Sequence, residues 1–197
     1  MMRSLWTSTT EKDWRAALDR YTTVVDGQGV ARLSELDRWY RDELPGLVVQ
    51  RRKAHVTQSE LIRLTEWKMA RGVWRAPNLI LVRSNAPEAV VETSTAALAA
   101  APHPTAPIAT LAKLKGVGPA TASAAAAAAE PRLYPFFDEL VAAQVPTLGK
   151  VAWTMSYYAR YAQAIRDRAA QLGPEWTPVM VEQALWSHVG GKAGLTK

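Results

Sequence analysis

Leu111-Ala-Lys-Leu-Lys-Gly-Val-Gly-Pro-Ala-Thr-Ala-Ser123 ends one helix, turns on two glycines and starts another. Gly116 and Gly118 can adopt positive φ and let a ligand approach the backbone closely, while Pro119 fits a first helical position. The opening turn of that second helix then offers unpaired N–H groups at the positive end of its dipole, a favourable seat for an anion. Lys113 and Lys115 add cationic side chains beside it. The anion they suit best is one that repeats along a polymer, the nucleic-acid backbone. The same residues would also serve a plain glycine-rich corner between two helices.

A second cluster lies upstream. On a helix over 58–71, Leu61, Ile62, Leu64 and Met69 define the apolar face, and Lys68 falls inside that stripe. A lysine there snorkels outward, pairs with a carboxylate, or lines a cleft where its pKa is depressed. Around it, Glu66-Trp-Lys-Met-Ala-Arg-Gly-Val-Trp-Arg75 interleaves aromatic and basic residues. That is the mixture expected where bases stack and phosphates are neutralised, and it nominates Trp67, Arg71, Trp74 and Arg75, although tryptophans also serve as plain core residues. Arg51-Arg52-Lys53 is a further basic run, either a solvated face or a source of backbone contacts.

The elements that must carry these groups read as helical throughout, and the chain is expected to be all-α. Helices are expected over 11–24, over 31–44 with a stop near Pro45, and over 58–71 behind the capping box Thr57-Gln-Ser-Glu60 with a stop at Gly72. Asn85-Ala-Pro-Glu88 opens another. Thr105 to Lys113 and Pro119 to Ala129 form the two arms of the hairpin, and the Ala124–Ala129 run reads as a helix packed tightly among its neighbours. Val151, Met155, Tyr158, Ala162, Ile165, Ala169 and Leu172 recur with helical period, and Thr177-Pro178 caps a last helix that ends at Gly190-Gly191.

Composition bounds the chemistry. With 197 residues, 48% of them apolar, the chain is large enough for a real core, and a formal charge of +6 favours acidic partners. It has no cysteine, which excludes disulfides, cysteine-ligated zinc, iron–sulfur clusters and a thiol nucleophile. Three scattered histidines, His55, His103 and His188, argue against a metal site. No cofactor is expected. Met-Met-Arg-Ser-Leu-Trp6 runs into polar residues and no apolar stretch would span a bilayer, so the expectation is an intracellular protein with no membrane role.

The hairpin, with Leu114 and Val117 as its apolar residues and the small Thr121-Ala122 pair on the second arm, resembles the helix-hairpin-helix motif. With the carboxylate-bearing connection that follows, residues 56–145 resemble the helix-hairpin-helix DNA glycosylase superfamily. The resemblance implies two helical lobes around a cleft, here 56–130 (with the motif at 111–129) and 1–55 together with 131–197, and a duplex DNA partner. The superfamily's essential aspartate follows the second hairpin helix behind a proline, and Tyr134-Pro-Phe-Phe-Asp-Glu139 stands in that place. Asp138 is the closest match, one residue farther from the proline than usual, with Glu139 as the alternative; either would stabilise an oxocarbenium-like sugar or activate a nucleophile. Either could equally decorate the first turn of a helix beginning near Phe136.

Strand-cutting members carry a lysine two residues after the second hairpin glycine, where this chain has Ala120. The resemblance therefore implies a monofunctional glycosylase acting on a flipped base, or alternatively a DNA-binding relative without catalysis. It implies DNA contacts from Lys113, Lys115, Gly116, Val117, Gly118, Ala120 and Thr121, from Trp67, Arg71, Trp74 and Arg75, and from Arg51 and Arg52. Lys68 would contact a phosphate, pair with Asp138 or Glu139, or replace the absent hairpin lysine.

Overall fold

A computed structural model describes residues 4–192, together with the backbone of 195–196. The architecture is all-α. In chain order the helices are α1 (Glu11–Asp19), α2 (Tyr21–Asp26), α3 (Leu33–Arg38), α4 (Leu44–Val49), α5 (Gln58–Arg71), α6 (Ala76–Arg83) and α7 (Pro87–Ala99). There follow α8 (Ala106–Leu111), α9 (Pro119–Ala129), α10 (Glu139–Ala142), α11 (Met155–Leu172) and α12 (Pro178–His188). The only extended pairing among the described residues is parallel and two residues long, Val73 and Trp74 against Leu195 and Thr196. None of the described helices is long and apolar enough to cross a membrane.

Local chemistry accounts for most of the boundaries. The Thr57 hydroxyl accepts from the Glu60 amide at 3.3 Å and the Glu60 carboxylate accepts from the Thr57 amide at 2.8 Å, so the capping box starts α5 as expected, and Gly72 ends it. Thr154 and Thr177 cap α11 and α12 in the same way, accepting from Tyr157 and Met180 at 3.2 Å. The periodic stripe read from Val151 to Leu172 is therefore carried by a helix that begins only at Met155, behind its cap.

Three expectations need correction. The helix expected over 11–24 is broken at Arg20 into α1 and α2, and the second piece turns Tyr21 into the core. Pro45 does not stop the next one. Between α3 and α4 the chain makes a π-helical turn, Trp39–Glu43, in which the Leu44 amide donates to the Trp39 carbonyl. Pro45 then falls in the first turn of α4, where its missing N–H costs nothing. Lastly, α6 was not expected: Ala76-Pro77 opens it, and its apolar run carries no helical period, with Leu79 and Val82 buried while Ile80 and Leu81 are exposed.

The apolar core is contiguous from Leu5 to Trp186. At its centre lies α9, buried on every side, with α4, α5 and α8 packed on it and the Tyr40 hydroxyl donating to the Ala124 carbonyl at 2.8 Å. Alanine is the residue that allows such close approach, because the neighbouring backbones meet no side chain beyond Cβ.

Candidate nucleic-acid and active site

The hairpin turn is pinned to α6 and its following loop. Gly116 has φ +74°, and a Cβ built on it would stand 2.6 Å from the Asn78 carbonyl oxygen and 2.9 Å from the Val82 amide. Only glycine fits there. The Asn85 side chain accepts from the Lys115 amide and donates to the Lys115 carbonyl, both at 2.9 Å, and the Val117 amide donates to the Leu114 carbonyl at 3.2 Å. The amides of Lys115 and Val117 are thus taken by protein, and the Val117 side chain is in the core. Gly118 also departs from expectation: its φ of −96° is open to any residue, and nothing lies within 4 Å of a Cβ there.

What the turn leaves available is the start of α9. The amides of Gly118, Ala120 and Thr121 have no hydrogen-bond partner among the described residues, and all three residues line one cavity of about 300 Å³. Lys113 and Lys115 are exposed on the same turn.

Asp138 lines that cavity too, and the sequence explains how it gets there. Ser123 on α9 accepts from the Phe137 amide at 2.9 Å and donates to the Ala120 carbonyl at 2.8 Å. From α11, the Tyr161 hydroxyl donates to the Phe136 carbonyl at 2.6 Å. Segment 136–137 is held between two helices, and the next residue is aimed at the first turn of α9. There Asp138 caps α10, accepting from the amides of Leu140 at 2.8 Å and Val141 at 3.3 Å, so the helix begins at Glu139 rather than near Phe136. Its second oxygen lies 3.6 Å from the Arg71 guanidinium. Burial pushes the carboxyl up from the ordinary range; Arg71 opposes that, the Glu182 carboxylate adds to it, and the two capping amides oppose it. Glu139 is exposed at the cavity rim.

Behind Arg71 lies a buried ionic cluster that sequence reading did not find. Arg71 donates to Glu182, Arg41 donates to Glu182 at 3.1 Å, and Arg41 lies 3.9 Å from Asp37. The Tyr21 hydroxyl and the Trp67 indole both donate to Asp37 at 2.8 Å. Two nominated DNA contacts therefore have other employment. Trp67 is fully buried, stacked on Tyr40 with centroids 3.6 Å apart, and has no face for a base. Arg71, 1% exposed, holds Asp138 from behind instead of reaching a strand. Arg51 is likewise committed, forked onto Glu60 at 2.6 and 3.0 Å and donating to the His55 carbonyl at 2.6 Å. Arg52, Trp74 and Arg75 remain exposed, Arg75 on the cavity wall.

Lys68 fulfils the cleft alternative. It lines the cavity from α5 and has no hydrogen bond or ion pair among the described residues; burial first, then the nearby Arg75 charge, lower its pKa to about 8, with Asp138 opposing. The remaining wall is aromatic. Phe137, fully buried, and Trp153, 45% exposed, line the cavity in contact with each other, their ring centroids 4.7 Å apart. Trp153 had no signal beyond an aromatic in a loop, and Glu182 none beyond a charge inside an apolar helix. No group of three or more acidic, histidine or cysteine side chains among the described residues is arranged to hold a metal ion.

A cavity that joins free helix N-terminal amides, a buried carboxylate and an unpaired lysine between aromatic walls is what this chain offers on its own terms, for compared with protein-family models, curated proteins and solved structures it matches none.

Proposed function

We propose that the protein binds duplex DNA and acts in base excision as a monofunctional glycosylase, with the two segments 56–130 and 1–55 plus 131–197 serving as lobes that meet at the cavity. One observation carries this reading: the open amides at the start of α9 and the carboxylate of Asp138 front the same cavity of about 300 Å³. The amides and Lys113 and Lys115 grip a phosphate; the base of that strand, turned out of the stack, enters the cavity against the exposed Trp153 ring. The cavity is at the small end for ligand sites, a size that suits one base rather than a larger group. Asp138, whose charged form Arg71 and the two capping amides favour against burial, stabilises the positive charge that develops on the sugar as the N-glycosidic bond breaks; the bond pair leaves with the base, which takes up a proton, and water adds at C1′.

The second reading, a DNA-binding protein without catalysis, is favoured by the cap: both oxygens of Asp138 already have protein partners. A panel of duplexes with alkylated, deaminated, oxidised and mismatched bases, scored for abasic sites, separates the two. Excision of any member, lost in Asp138→Asn, supports the enzyme; tight duplex binding with no excision across the panel supports the binding protein alone.

A further inference from the structure

We propose that Lys68 is the acid that protonates the departing base, and that the cavity therefore selects neutral lactam bases, in which a ring N–H adjoins a carbonyl, as deamination and oxidation produce them, against cationic N-alkylated bases. The inference rests on the excision reading above and names the substrate class of the same site.

Position is the first argument. Lys68 on α5 and Asp138 line the same cavity, and the Asp138 charge is felt at Lys68, yet no ion pair joins them. The carboxylate is held by the two capping amides and faced by Arg71. The lysine has no hydrogen bond or ion pair among the described residues, so its N–H groups are left for an acceptor that the occupant brings. Wall charge is the second. Arg71 is engaged by Glu182 and Asp138, which leaves Lys68, Arg75 and Lys192 as the cations of the wall and Glu139, exposed at the rim, as the remaining carboxylate. Such a wall attracts a carbonyl oxygen and developing negative charge, and it repels a fixed positive charge. Acidity is the third. Burial first, then the Arg75 charge, lower the lysine's pKa to about 8, with Asp138 opposing. Below that pH the ammonium persists but gives up its proton more readily than an exposed lysine, as suits a proton donor working near neutrality.

The step balances with water as the only co-reactant. As the bond from C1′ to the ring nitrogen breaks, its electron pair passes to the base and spreads onto the carbonyl oxygen of a lactam. The Lys68 ammonium donates a hydrogen bond to that developing anion and transfers one proton to it, so the base leaves neutral and the amine is left uncharged. Water forms the new C–O bond at C1′ and releases a proton, which restores the ammonium. A cationic alkylated base already leaves neutral, gains nothing from a proton donor, and enters against the charges of Arg75 and Lys192. Guanine and thymine are lactams as well, but in a matched duplex pairing holds them in the stack.

The test uses the full-length chain and single-turnover excision from duplexes carrying uracil or hypoxanthine for deamination, 8-oxoguanine for oxidation, and, for the cationic class, a duplex methylated to hold 7-methylguanine and 3-methyladenine. The expected result is excision of at least one lactam base in preference to the methylated ones, at a rate that falls as pH rises through about 8. Lys68→Met is expected to lower that rate by about 10²–10⁴-fold, and Lys68→Arg, which keeps the charge but holds its proton, to lower it as well and to lose the step near pH 8. Where uracil is excised, 5-fluorouracil, whose anion needs protonation less, loses less in both variants, whereas disturbed packing would slow the two bases alike. Preference for the methylated bases, wild-type rates from Lys68→Met, or equal losses for uracil and 5-fluorouracil overturns the inference. Excision confined to the methylated bases leaves the glycosylase reading standing and removes the lactam selection; no excision from any duplex removes both.

Discussion

Two groups of buried charge sit back to back across Arg71 and obey opposite rules. On the inner side Arg41, Arg71, Asp37 and Glu182 are paired with one another and boxed in by Tyr21, Tyr40 and Trp67, with Arg71 lying 4.6 Å over the Trp186 ring as well. On the outer side Lys68 has no hydrogen bond or ion pair among the described residues, and Asp138 stands 3.6 Å from the Arg71 guanidinium. A buried pair is close to neutral for stability and fixes geometry, whereas an unpaired buried charge is a net cost. The inner group is therefore a mount, and the outer group is what the mount holds. At Lys68 the chain keeps a charge with no ion pair among the described residues, which the inner group avoids, and sites of chemistry are where such costs gather.

That contrast can be broken in descending order of effect. Asp138→Asn is expected to lower base excision by about 10²–10⁴-fold, with helix content and melting temperature retained because Asn caps as well as Asp; a proportionate loss of both would make Asp138 merely structural. Glu182→Ala, which leaves Arg71 and Arg41 facing an empty space, is expected to cost about 3–5 kcal/mol in chemical denaturation. A smaller loss would mean that the inner group is not the mount described.

At the hairpin, Gly116→Ala is expected to destabilise by about 1–3 kcal/mol, since φ +74° and the approach to Asn78 both oppose a Cβ. Gly118→Ala should stay within about 0.5 kcal/mol of wild type, so equal losses at the two glycines would refute the division of labour between them. Lys68→Met is expected to stabilise by up to about 2–3 kcal/mol at pH 7. The sign follows from the lowered pKa. Below about 8 the lysine is charged in both folded and unfolded chains and the burial cost is complete; between about 8 and 10.5 only the unfolded chain holds the proton, so wild-type stability rises with pH and the advantage of Lys68→Met fades. Melting temperatures measured from pH 7 to 10.5 check it. Finally, duplex affinity should fall with salt with a log–log slope near −4 to −5 if about four to six phosphates are neutralised, and a flat response in a filter-binding titration would count against the whole DNA reading.

How much of this was legible follows from the range of the forces involved. Capping chemistry acts over three residues, so Thr57 and Thr177 announced α5 and α12 correctly. Lys68 was conspicuous because a helical stripe is a local pattern and a lysine breaks it. The mount was invisible for the converse reason: Glu182 is 111 residues from Arg71 and 141 from Arg41, and nothing in either neighbourhood marks the partner. Trp67 was misassigned to DNA because aromatic and basic residues alternate around it, while its neighbour in space, Tyr40, comes from a π turn that no periodicity foretells. The hairpin glycines were found, but their separate duties depend on α6, whose short apolar run gave no helical signal.

The alanine tract of α9 has a mechanical meaning. Alanine has no side-chain torsions, so a helix made of it and walled in on all sides has no rotamers to exchange when one end is pushed. Ser123 ties this rod directly to the segment that carries Asp138. The span from the turn at Gly118 to the acid is for that reason a fixed length of the molecule, like the gap of a caliper, and it is the occupant that must adopt the measure.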